Sequence, residues 1–235
     1  MSAAGPPQGA NCAPASGGSA AAELTNEAAS VGVHPPIAAE DQARANFYAL
    51  LGRLYGGAPD AALLRAIAAA DELPMAAAEG PARNLAESWR TLIAASAAMD
   101  AEAASQEYVD LFIGVGRSEV SLHAAGYLPR AGSSVLAEMR AELSRHGLGR
   151  QEGVSIYEDH LAAVCETMRV LIGGAPGIEP FSFADQCKFF ESYVSPWVPA
   201  CCAAIIASAI ANYYRRVAEF TQSFVAIERD SLAIE

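Results

Sequence analysis

Glu158, Asp159 and His160 stand side by side in "SIYEDHLAAVCETM", at the head of an apolar helical run, and form the densest titratable patch in the sequence. Two carboxylates beside an imidazole could relay a proton, grip a cation or pair with guanidinium groups. Metal ligation fits poorly, because adjacent helical residues point in different directions and no histidine follows at i+4 to share an ion. Catalysis by an Asp159–His160 pair would need a nucleophile, and no G-x-S-x-G elbow accompanies it. Ser155 and Glu158 have the spacing of a capping box, and Asp159 suits the positive end of a helix dipole. Neither reason reaches His160, which borders the stripe Leu161, Val164, Met168 and Leu171. It reads either as a hydrogen-bonded flank residue or as a polar contact at the edge of a groove.

The remaining candidates are weaker. His34, His123 and His146 fall in a tail, a loop and a helix end. "GGAPG", from Gly173 to Gly177, lacks the Lys-Ser/Thr of a phosphate-binding loop and reads as a helix stop with a turn. No catalytic residue, metal site or cofactor is expected.

The elements that must position this patch are helical. Phe47, Leu50, Leu51 and Leu54 form one apolar stripe at helical spacing, and Asp60 can cap a second helix carrying Leu63, Leu64 and Ile67. Pro81 suits the first turn of a third helix with Leu85, Trp89, Leu92 and Ile93. A fourth is expected from Ala101 to Ile113, burying Tyr108, Leu111 and Phe112. The loop "GVGRSEVSLHAAGYLPR" follows, then a fifth helix stopped by Gly147. A sixth opens at the Glu158 patch and a seventh spans about Phe181 to Val194. Ser195 as cap and Pro196 at the first position should start an eighth, running beyond Tyr214. No alternating strand and no repeat is present. The expected fold is all-α: a single compact bundle of about eight or more helices over residues 39–235, behind a disordered tail over 1–38.

Composition narrows the partners. The chain has 235 residues, is 52% hydrophobic and carries a formal charge of −12. A surface of that sign repels nucleic acid and anionic lipid and attracts basic peptides. The five cysteines include no CxxC pair, which argues for reduced, buried thiols in a reducing compartment. No secretory signal is evident, and the most apolar run, Val198 to Ile210, is shorter than the ~20 residues of a membrane span. A soluble protein without stable membrane insertion is expected.

Several pieces then align with one family. "EYVDLFIG" (Glu107–Gly114) resembles the E-Y-x-x-L-F-x-G helix end of the TorD/DmsD-type chaperones. "GYLPR" (Gly126–Arg130) is similar to the tail of their P-x-x-S-x-Y-L loop, "YEDHL" (Tyr157–Leu161) to their E-P-x-D-H-L signature, and "YVSPWVPACCAAI" (Tyr193–Ile205) to their H-L-x-P-W-x-P helix start. "FYALLGRLYGGAPDAALLRAI" resembles their first two helices. The likeness covers about residues 41 to 215. Two departures stand out: Leu122, His123, Ala124 and Ala125 replace the family's Pro-x-x-Ser, and Tyr157 replaces the proline of the E-P-x-D-H-L signature.

The resemblance implies a cytoplasmic, non-enzymatic chaperone, monomeric or homodimeric. It would bind the twin-arginine signal peptide and folding intermediate of a molybdenum- or tungsten-cofactor oxidoreductase, of formate dehydrogenase or DMSO/TMAO reductase type. In that reading Asp159 and Glu158 rim a groove that pairs with the peptide's arginines. His160 fixes Asp159 or the peptide backbone, and Leu111, Phe112, Tyr127 and Trp197 wall the apolar part, with His123 and Tyr157 beside them. Two other readings compete: a nucleotide (GTP)-dependent switch or weak NTPase using the glycine-rich loops, and a purely structural all-α assembly subunit.

Overall fold

The computed structural model of the chain describes residues 37–74, 79–128, 134–151 and 153–233. All but two residues of the expected tail, and Pro129 and Arg130 of the "GYLPR" stretch, lie outside them. Among the described residues the fold is all-α, with no strand. The helices are α1 (Ala39–Gly56), α2 (Ala61–Ala68), α3 (Gly80–Ala98), α4 (Ala101–Tyr108), α5 (Val135–Arg145), α6 (Leu161–Gly173), α7 (Phe183–Tyr193), α8 (Val198–Ala207) and α9 (Tyr213–Leu232).

The apolar stripes pair these helices. α1 lies along α6, α3 along α9, and α8 also packs on α9. Tyr48, Leu51, Leu54 and Tyr55 of α1 meet Leu161, Met168 and Leu171 of α6 in one continuous core with Phe220 and Phe224 of α9. Gly52 and Gly56 face α6 at a distance that leaves a β-carbon only 3.5 Å from Ala162 atoms, so α1 and α6 run close together. Buried hydroxyls find partners within this core: Tyr55 with Thr221 at 3.0 Å, and Tyr214 donating to the Leu54 carbonyl at 2.9 Å. Each such contact removes the cost of burying a polar group unpaired.

Local chemistry sets the helix ends. Asp60 accepts from the Leu63 amide at 2.7 Å and starts α2, and Gly147, at φ 67°, follows α5 in the left-handed region. Buried Glu142 of α5 gathers Arg145, His146 at 3.4 Å and Lys188 of α7 at 3.3 Å, tying two elements far apart in sequence.

Four expectations need correction. The fourth helix does not stay α-helical to Ile113: Val109–Ile113 widens into a π-turn, closed by the Gly114 amide on the Val109 carbonyl at 2.8 Å. Gly114 sits at φ 62°, where a β-carbon would fall 2.2 Å from the Arg117 carbonyl oxygen, so the turn requires glycine. The Ser195–Pro196 start is displaced: 194–197 form turns, and α8 opens at Val198 with Trp197 in the capping position. The late helix does not run through Tyr214 either. It stops at Ala207, and α9 begins after a break at Ser208–Asn212. The Ser155–Glu158 capping box does not form, because α6 starts only at Leu161.

No single described helix is long and apolar enough to cross a membrane. α7 and α8 reach that measure only together, bent by 48° at their junction, and they bury Phe189, Phe190, Trp197 and Ile205 in the core.

Candidate functional site

The Asp159–His160 patch sits where a loop meets the start of α6. The His160 side chain is the helix cap: its Nδ1 accepts from the Ala162 amide at 3.1 Å. An imidazole can accept there only while that nitrogen is unprotonated. Burial, then the neighbouring His123, push the His160 pKa down to about 4, against a smaller opposing pull from Asp159. The next free amide of the helix, that of Leu161, donates to the Leu122 carbonyl at 2.8 Å, while the Ala124 amide donates to the Asp159 carbonyl at 2.9 Å. These two bonds lash the 121–127 loop to the head of α6.

Asp159 turns inward to the same loop. Its side chain is 5% exposed, and Oδ1 lies 2.9 Å from His123 Nδ1. Burial raises the pKa of this carboxyl, but the His123 contact and the Ala125 amide outweigh it and hold it below the usual carboxylate range. His123 stacks edge-on against His160 with ring centroids 4.9 Å apart, and its side chain remains 41% exposed. The Tyr127 hydroxyl donates to the Ser121 carbonyl at 2.9 Å, and its ring stacks on Trp197.

Glu158 also faces inward, 3.1 Å from Arg140 of α5. Burial would raise its pKa, but Arg140 and then Arg150 lower it overall. Arg140 and Arg150 stand 6.0 and 5.5 Å from the ring centre of half-exposed Tyr157. The expected acidic rim is therefore not formed by these residues. Glu158 is paired with Arg140, Asp159 accepts from His123 and from the Ala125 amide, and two guanidinium groups stand over the Tyr157 ring. The expected apolar walls differ as well: Leu111, Phe112 and Trp197 are buried in the core, and only Tyr127 keeps an open face. Of the nine anticipated residues, Tyr157 is exposed, and His123, Tyr127, Glu158 and His160 keep partial exposure.

Two hollows open on the described surface, the larger of them reaching Glu158. The larger, about 610 Å³, is a trough between α1 and α6, bordered by residues 147–151 and by Val154, Ile156 and Glu158. Its floor is apolar and mostly small-sided, and its charged lining is Arg53, Arg150, Arg169, Glu158 and Glu166. The second, about 410 Å³, lies among the first turn of α1, the start of α7 and the last turns of α9. It is lined by Glu40, Asp41, Arg44 and Glu228, with Phe47, Phe183 and Phe224 as aromatic walls. Arg44 is clasped there by both Glu228 oxygens at 2.7 and 3.1 Å, by Asp41 at 2.8 Å and by Gln186 at 3.1 Å.

No spacing argument singles out Glu107. Its carboxylate accepts from the amides of Asn212, Tyr213 and Tyr214 at 2.8–3.0 Å and so caps α9 from another helix. The adjoining Tyr108 donates to the Tyr55 carbonyl at 3.1 Å. The "EY" pair thus has an architectural duty, which no local pattern reveals.

An all-helical body whose titratable side chains hold loops and helix ends, and whose hollows are open and shaped by helices, is suited to holding another chain. The sequence profile described as nitrate reductase delta subunit matches residues 78–203, more than half of the chain, and the protein belongs to that family. It is a family of chaperones for redox-enzyme maturation. Comparison with curated proteins gives no match.

Proposed function

We propose that this chaperone holds the twin-arginine signal peptide of a molybdenum- or tungsten-cofactor oxidoreductase in the cytoplasm until the client is mature. The observation that carries the reading is the hollow at the head of α1, where carboxylates outnumber the single guanidinium and aromatic rings supply apolar walls. That hollow already clasps one arginine, Arg44, and Glu40 and Asp41 at its mouth are open to solvent in part or in full. Charge-assisted contacts to carboxylates and a cation–π contact to exposed Phe183 suit a second guanidinium. The formal charge of −12 adds long-range attraction for a basic leader. Glu40 and Asp41 also complement the α1 dipole, so they are explained structurally as well.

His123, Tyr127 and Tyr157 offer accessible faces for the peptide's main chain and apolar side chains. Asp159 and His160 act beneath them by fixing the loop. Binding without chemical change to the peptide is all this arrangement needs.

Titration calorimetry of a twin-arginine leader peptide against the full chain tests this reading. The E40Q/D41N double variant should bind about tenfold more weakly, a loss of ~1.4 kcal/mol, and affinity should fall with added salt. Unchanged affinity when both arginines of the peptide become glutamine would remove the proposal.

A further inference from the structure

The trough between α1 and α6 has the opposite charge balance to the rest of the protein. Its two carboxylates are spent within the fold: Glu158 on Arg140 at 3.1 Å and Glu166 on Arg169 at 2.6 Å. Arg53 and Arg150, both exposed on its rim, have no carboxylate partner at ion-pair distance among the described residues. Arg150 instead lies against the Tyr157 ring. Between these cations run Ala49, Gly52, Ala163, Leu148 and Val154, with Val154 43% exposed. A chain carrying −12 overall thus presents an apolar trough edged by two exposed guanidinium groups that make no ion-pair contact among the described residues.

We propose that this trough binds a second segment of the client, a short aliphatic stretch flanked by Asp or Glu, separately from the basic leader. Family membership supplies the partner class, an immature redox-enzyme chain, and the lining supplies the sequence preference. Aliphatic side chains leave water for a floor of comparable polarity, and the flanking carboxylates pair with Arg53 and Arg150. A basic, twin-arginine segment meets like charge at this rim and is turned away. The protein then reads two opposite chemistries of one partner at two places. The inference rests on the chaperone family and the trough, and not on the leader-binding hollow.

Fluorescence anisotropy with the full chain tests it, using two labelled Leu/Val-rich peptides that differ only in Glu or Lys flanks. The Glu-flanked peptide should bind wild type about tenfold more tightly than its Lys-flanked twin. The R53E/R150E variant, whose folding is verified by circular dichroism, should abolish or invert that preference, and V154D should weaken both peptides. Leader-peptide affinity, measured in parallel, should respond to E40Q/D41N and not drop with R53E/R150E, so the two readings fail separately. Equal binding of both peptides, binding of neither, or a preference untouched by charge reversal overturns the proposal. Displacement of the Glu-flanked peptide by nucleoside triphosphate, lost in R53E/R150E, would reassign the arginines to phosphate and overturn it too.

Discussion

His123 Nδ1 and Asp159 Oδ1 meet at 2.9 Å although 36 positions separate them in sequence, and the contact buries the carboxylate against the loop it restrains. The pair therefore couples the 121–127 loop to the head of α6. Replacing Asp159 with alanine leaves the Ala125 amide and the His123 ring without this acceptor. A loss of about 1–3 kcal/mol in urea unfolding is expected, together with faster hydrogen exchange at Ala124 and Ala125.

His160 should make stability depend on pH. Its folded pKa of about 4 lies below the ordinary 6.5, so the unfolded chain takes up the proton first as pH falls. The stabilisation it provides is complete above 6.5, fades between 6.5 and 4, and is gone below 4; its full size is on the order of 3 kcal/mol. Asparagine caps a helix without titrating. H160N should accordingly match wild type near neutrality to within ~1 kcal/mol and show a flatter stability profile across that window. Unfolding free energies from denaturant titrations that change identically with pH between 4 and 6.5 in the two proteins would refute the assignment.

Glu107 holds three amides at the head of α9. E107A should cost roughly 2 kcal/mol, and E107Q less, because an amide oxygen still accepts. Thermal unfolding gives the ranking, and exchange rates at Tyr213 and Tyr214 locate the effect.

Arg44 and Glu228 form a bidentate pair whose carboxylate is almost wholly buried. E228Q should destabilise by about 3–5 kcal/mol, since it strands a guanidinium in a poor solvent for it. The double variant R44L/E228L should recover most of that loss, as a double-mutant cycle in chemical denaturation would show.

Much of the fold could be read from the sequence, because apolar stripes at helical spacing pick out helices whose faces must be buried. The stops at Gly147 and Gly174 were equally legible, since both glycines adopt positive φ. What escaped is long-range. The π-turn at Val109–Ile113 leaves the apolar pattern of an ordinary helix intact, and only the crowding at Gly114 betrays it. The break before α9 carries no proline or glycine, and its cap comes from Glu107 on α4. The head of α6 was misplaced because Ser155 and Glu158 imitate a capping box, whereas the loop bonds to Leu122 and Ala124 fix the real start. The candidate site suffered most. Glu158, Asp159 and His160 are recognisable as a signature, but which way a carboxylate points depends on Arg140 and His123, and nothing in the local string announces either partner.

Lys188 is the single lysine of the chain, more than half exposed on α7 while touching Glu142. Amine-directed reagents therefore find one side-chain address in the entire molecule. A dye or photocrosslinker attached there reports from a defined spot and leaves the buried thiols Cys165, Cys201 and Cys202 untouched. Acylation would strip one cation from Glu142, which keeps Arg145 and His146. That gives a ready means of mapping what docks nearby without first rebuilding the sequence.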